Sequence, residues 1–287
     1  MRPRLRCGRH GHSSPPTGYA HFHASQWDGT SFHTGRVEPI PGGVGCTGEV
    51  PRSQEAGVAP AWLTVLSWCA LALAGISSLI IVFDIYARGH RQRMRVMEAV
   101  WPVTGLYFGP IAVWMYWRFG RPQSGRWLAE HGRDNPPGKP GWATTAIGVS
   151  HCGAGCTLGD IIAEFAVFAL ALQLAGRALL PEYIGDYTAA LALGILFQYF
   201  AIAPMRGLGL RKGLTQAAKA DVLSLTAFEV GLFGWMALMS FVFFGSHPLH
   251  PNNPVYWFLM QIGMIIGFAT AWPANVWLIR RGVKEAM

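Results

Sequence analysis

The sequence predicts an all-α integral membrane bundle of about six transmembrane helices behind a disordered N-terminal extension, and three observations carry that prediction. Only 13% of the 287 residues are charged, against roughly a quarter in an ordinary soluble domain. The apolar residues gather into runs near the ~20 residues that a helix rising ~1.5 Å per residue needs to cross a ~30 Å hydrocarbon core. Lys and Arg, which give a formal net charge of +8, stand in short clusters between those runs. Such clusters are orientation signals at a bilayer. Without a basic face carrying interleaved aromatics they argue against nucleic acid as a partner and for the lipid bilayer.

Residues 1–57 are rich in Gly, Pro, Ser, Arg and His and show no apolar periodicity. They cannot bury enough surface to offset their ordering entropy and read as a disordered extension. No apolar stretch follows MRPRLRCGRHGH, so a secretory signal peptide is not expected. Five histidines (His10, His12, His21, His23, His33) lie here; the simpler reading is an unstructured extension, the sharper one weak metal affinity.

Residues 58–287 read as the membrane domain, with spans expected over 62–86, 97–118, 158–180, 187–204, 222–244 and 255–279. They should be helices, because hydrocarbon offers exposed backbone groups no partner. Trp and Tyr gather near the ends of these runs (Trp62, Trp101, Trp114, Trp117, Tyr187, Tyr256, Trp257, Trp272, Trp277), as amphipathic rings do at headgroup level. In a six-helix count the basic loops 118–139 and 206–219 and the C-terminal Arg280, Arg281 and Lys284 share one side. That side is the cytoplasm. The loop with Arg88, Arg91, Arg93 and Arg95 contradicts the pattern, and a re-entrant passage between Gly141 and Cys156 would relieve it.

The stretch SHCGAGCTLGD, residues 150–160, crowds His151, Cys152, Cys156 and Asp160 into an apolar context. One reading is purely local. Thr157 followed three residues later by Asp160, before IIAEFAVFALAL, fits a capping box, with Gly153 and Gly155 making the turn before it. That geometry would place Cys156 just outside a helix N-terminus, where a thiolate is favoured. A second reading takes His151, Cys152 and Cys156 as ligands for copper or zinc, which suit thiolate and imidazole. A third takes the two thiols as a redox pair. Helical spacing, with Cβ atoms ~5–6 Å apart, favours metal over a disulfide, which wants ~3.8 Å. The other cysteines are Cys7, Cys46 and Cys69, and the five form no disulfide framework.

Further polar groups stand where hydrocarbon makes them costly. Glu164 follows Asp160 by one turn, and Glu229 lies about 12 Å below Asp221 by helix rise. Acidic groups at such depth normally face a bundle interior. Asp160, Glu164 and Glu229 are therefore candidates to line a route or exchange protons; alternatively Glu229 is structural, pairing with Arg177 or a polar neighbour. Asp221, near Lys219, reads as a solvated end charge, and Asp84 and Glu98 as ion partners of the basic loop between them. Met236 with Met239 and Met260 with Met264 recur at helical spacing, a pattern usual in packing and also suited to Cu(I). His247 and His250 stand in a Pro-rich turn or at a metal entry point. Walker, dinucleotide, G-x-S-x-G and H-E-x-x-H patterns are absent, which leaves conventional ATP-driven transport or hydrolysis without support.

The stretches VWPVTGLYFGP, SHCGAGCTLGDIIAE, LFQYFAIAPMR, KADVLSLTAFEVGLFGWMA and PVYWFLMQIGMIIGFATAWPANVWLIRRGVKEAM resemble the bacterial membrane family called domain of unknown function (DUF) 4396. The resemblance runs from about residue 60 to the end and is most specific at HCGAGC-T-x-GD. Ser150 stands where the family pattern has Thr. The resemblance implies a multi-spanning membrane protein, here of the bacterial inner membrane, and implies no activity. The residues themselves point first to binding or passage of a soft metal ion, copper or zinc. The rivals are a membrane thiol-disulfide oxidoreductase, and a scaffold in which Gly153, Gly155 and Gly159 make a tight helix contact.

Overall fold

The computed structural model describes residues 59–206, 209–245 and 249–284. The extension expected to be disordered, residues 1–57, lies outside the described residues, as does His247. All regular elements among the described residues are helical. Four helical stretches are long and apolar enough to cross a membrane: Ala61–Tyr86, Gly141–Ala169, Asp221–Phe243 and Pro254–Arg280.

α1, Ala61–Tyr86, turns Ser67, Ala74, Ser77, Ile81, Asp84 and Ile85 inward, while Trp62, Val65, Leu79 and Phe83 are exposed, as a face meeting lipid requires. The Ser67 and Ser77 hydroxyls donate to the carbonyls of Leu63 and Leu73, each at 2.7 Å, so neither stays unsatisfied. The span expected over 97–118 is broken. α2, Met97–Phe108, stops at Gly109, whose φ of 54° suits only glycine well, and Pro110 opens α3, Pro110–Met115. A π turn, Tyr116–Gly120, and the short α4, Gly125–Glu130, follow. Not every aromatic expected at an interface lies there, because Trp101 and Tyr256 are buried.

The break brings Tyr116 and Arg121 onto buried Asp84. The tyrosine hydroxyl donates at 2.9 Å, and Arg121 Nε stands 3.4 Å away. His90 and Arg88 approach the same carboxylate at 3.5 and 3.7 Å. Arg91 holds Glu98 in a two-point contact of 2.9 and 2.8 Å. Two of the four arginines that disturb the orientation pattern are thus matched by carboxylates on their own side.

α5, Gly141–Ala169, corrects three expectations. The third span begins at Gly141 instead of residue 158, residues 141–156 are its N-terminal half and not a separate re-entrant passage, and no capping box forms. Thr157 lies mid-helix, its hydroxyl donating to the Gly153 carbonyl at 2.7 Å and approaching Met264 Sδ at 3.6 Å. Cys156 therefore sits within a helix and not before one. The glycines do not break the helix because neighbours pack where their side chains would be. A Cβ on Gly155 would stand 2.9 Å from Gly194 Cα, and one on Gly159 would fall on the backbone of Ala190. Each mid-helix glycine costs about 1 kcal/mol against alanine, which close backbone contact offsets.

α6, Leu179–Arg206, is the helix that enters this groove; α7, Leu210–Leu238, continues into a π turn, Met239–Phe243, and α8 is Pro254–Arg280. The Asn253 side chain caps α8 by accepting from the Val255 N–H at 2.9 Å. α5 runs through the middle, packed against α2, α6, α7 and α8. Polar pins tie the helices: Tyr183 to the Phe233 carbonyl at 2.6 Å, Trp235 to that of Leu259 at 2.8 Å, Gln261 to that of Leu106 at 2.6 Å.

Two charge assignments change as well. Asp221 is no solvated end charge but 1% exposed. Lys284 folds back from beyond α8 to meet it at 3.8 Å, donating meanwhile to Asn275 Oδ1 at 2.8 Å and the Gly148 carbonyl at 3.2 Å. Arg177 does not pair with Glu229; its guanidinium lies 4.9 Å from the centre of the Phe241 ring.

Candidate functional site

Because α5 is continuous, Cys152, Cys156, Asp160 and Glu164 fall four residues apart and form one stripe about 18 Å long. All four are at most 1% exposed. The adjacent stripe carries Gly155 and Gly159 and is filled by α6, so the packing face and the polar face of the same motif are distinct.

The neighbouring helices add polar groups to the stripe. From α7, Glu229 faces the Cys156 thiol. Glu229 and Asp186 of α6 both stand within electrostatic reach of Asp160. Glu164 adjoins Asp186 and the Tyr256 hydroxyl of α8. Met264 packs with Cys152 and Cys156 in one buried cluster, together with Tyr107 of α2. The result is a file: thiols and a thioether at one end, carboxylates at the other.

Among the described residues, none of the carboxylate oxygens of Asp160, Glu164, Asp186 and Glu229 has a hydrogen-bond partner. The ion pairs among the described residues lie elsewhere, at Asp84, Glu98, Glu130 and Asp221. An ionised carboxylate deprived of water and partner is too costly to persist. A bound proton or a bound cation would remove that cost.

Five of the sequence candidates come together in this file: Cys152, Cys156, Asp160, Glu164 and Glu229. His151 does not join the thiols. One residue along a helix turns its side chain about 100° from Cys152, and its ring looks toward Phe197, centroids 6.3 Å apart. Among the described residues no three His, Cys, Asp or Glu side chains form a group able to hold a metal ion. A soft ion would need a donor outside that set, and Met264 is the one at hand. Cys152 and Cys156 are free thiols, and a disulfide between them would have to distort the α5 turn that separates them.

Asp186, Tyr107 and Tyr256 are the site residues that sequence reasoning misses here, whereas Met264 stands out in its pair with Met260 as packing or a soft donor. Asp186 falls in the interval 181–186 between two expected spans and so reads as a loop residue. Only the helix spacing of Glu182 and Asp186 signals that the acidic stretch is already helical.

A buried file of thiols and carboxylates in a bundle with four helices fit to cross a membrane defines a membrane protein with a polar interior. The chain belongs to the family described as domain of unknown function (DUF4396), whose model matches residues 141–284, half of the chain. The match begins with the first residue of α5, not near residue 60, and takes in the file from Cys152 to Met264 and the Lys284 contact. No curated protein and no solved structure matches the chain.

Proposed function

We propose that this protein binds a soft metal ion, copper or zinc, between Cys152 and Cys156 and passes it through the bundle. Met264 supplies the third donor, and Glu229, Asp160 and Glu164 line the route. Thiolate and thioether donors select soft ions, Cu(I) above all. The observation that carries the reading is the position of Glu229, which joins the thiol pair to carboxylates that have no counter-charge of their own. In this reading the protein crosses the bacterial inner membrane six times, the broken α2–α3 segment and α6 completing the count. Its C-terminus is cytoplasmic, beside exposed Arg280 and Arg281.

Exchanging Glu229 for Gln keeps the side-chain volume and removes the charge. Metal flux into vesicles carrying the Glu229→Gln variant should fall by about 10–100-fold, the usual effect of removing a group next to the ligands, with unchanged thermal unfolding. Flux equal to the parent protein's would remove Glu229 from the route.

A further inference from the structure

A cleft of about 270 Å³ opens beside the carboxylate end of the file, lined by Arg177, Glu182, Met239, His250 and Tyr256 among others. Tyr256 belongs to both. Tyr256 is 5% exposed, and its hydroxyl has no hydrogen-bond partner among the described residues while lying against Glu164. Behind it, Glu164 of α5 and Asp186 of α6 adjoin each other, both fully buried.

The groups facing this pair are of one sign or neutral. They are Glu182 from the same helix as Asp186, Asp160 along α5, Glu229 from α7 and Tyr256 from α8. Of the cleft's basic groups, Arg177 is held over Phe241 at 4.9 Å and His250 against Phe168, centroids 5.8 Å apart. Neither forms an ion pair with Glu164 or Asp186. Two neighbouring carboxyls in apolar surroundings do not both ionise, and together they retain a proton.

We propose that Glu164 and Asp186 form a proton-exchange site, loaded from the cleft past Glu182 and the Tyr256 hydroxyl. The ligand at this end of the file is the proton, whereas the thiol end takes the soft ion. Resting on the metal reading, the consequence is exchange: a cation entering beside Glu229 lets the Glu164–Asp186 proton leave through the cleft. The charge inside the bundle then changes less than it would with either ion alone.

The test is labelling of the full chain in lipid vesicles, without added metal, by dicyclohexylcarbodiimide, which attacks protonated carboxyls in apolar surroundings, followed by peptide mass spectrometry. An exposed carboxylate of pKa ~4.3 is protonated in roughly one part in 500 at pH 7, so each member of a pair that shares one proton should label roughly 250-fold faster. The expected result is modification at Glu164 or Asp186, slowed in alkaline buffer and changed in rate by Tyr256→Phe. Modification confined to exposed acids such as Glu130 overturns the proposal, and this outcome is read on the unaltered chain, so no variant need fold. Labelled carboxyls in a chain that binds no copper or zinc would keep this site and sink the metal reading; bound metal with an unlabelled pair would do the reverse.

Discussion

Gly159→Leu should leave little folded protein in detergent, whereas Gly148→Ala, eleven residues earlier on the same helix, should raise stability. A Cβ at position 159 falls on the backbone nitrogen and Cα of Ala190, and backbone cannot swing aside as a side chain can. Overpacking that side chains can absorb costs about 1–3 kcal/mol; here α5 and α6 must separate along their length, and the cost exceeds that range. Separation also pulls Asp186 away from Asp160 and Glu164, so the carboxylate end of the file fails with the packing. At Gly148 an added Cβ meets nothing within 4 Å, and removing a mid-helix glycine gains about 0.5–1 kcal/mol. Thermal unfolding and size-exclusion profiles of the two variants give opposite signs if α5 and α6 touch as described. Equal behaviour would mean that the contact is absent.

Lys284→Met is the second large effect. The ammonium group is fully enclosed, with its hydrogens directed to Asn275, Gly148 and Ser224 and its charge answered by Asp221. Among the described residues no oxygen of Asp221 has a hydrogen-bond partner and the lysine is its sole compensation. Removing one member of a buried pair costs about 3–5 kcal/mol, because the other is left charged in an apolar site, while replacing both is often close to neutral. Thermal unfolding should therefore drop sharply for Lys284→Met and recover much of the loss in the double variant with Asp221→Asn. No recovery would show that the lysine acts by packing alone.

The contrast between these two places marks what a sequence of this kind discloses. Apolar runs announced α1, the latter part of α7 and α8 nearly to the residue, because the length of a membrane crossing is set by local composition. α5 is misplaced for a physical reason: glycine is the same letter whether it loosens a turn or admits a neighbouring helix, and the partner, Ala190 to Gly194, lies some 35 residues away. Thr157 and Asp160 match a cap pattern only by spacing, since a helix already running through them leaves no free N–H groups to cap. The shared face of Asp160 and Glu164 is legible from their four-residue interval. Its extension to Cys152 and Cys156 needs the continuous helix. The pairing of Asp221 with Lys284 and the meeting of Glu164 with Asp186 and Tyr256 arise from tertiary packing, for which no local pattern exists.

The division of the file into a soft and a hard end is the centre of the account, and metal content tests it most directly. The full chain, expressed with copper and zinc supplied and purified in detergent, should carry near-stoichiometric metal by elemental mass spectrometry. That metal should disappear in the Cys152→Ser, Cys156→Ser double variant and weaken in Met264→Leu. Equal metal in the parent and the double variant, or none in either, would contradict the assignment of the thiol pair as the ligand site.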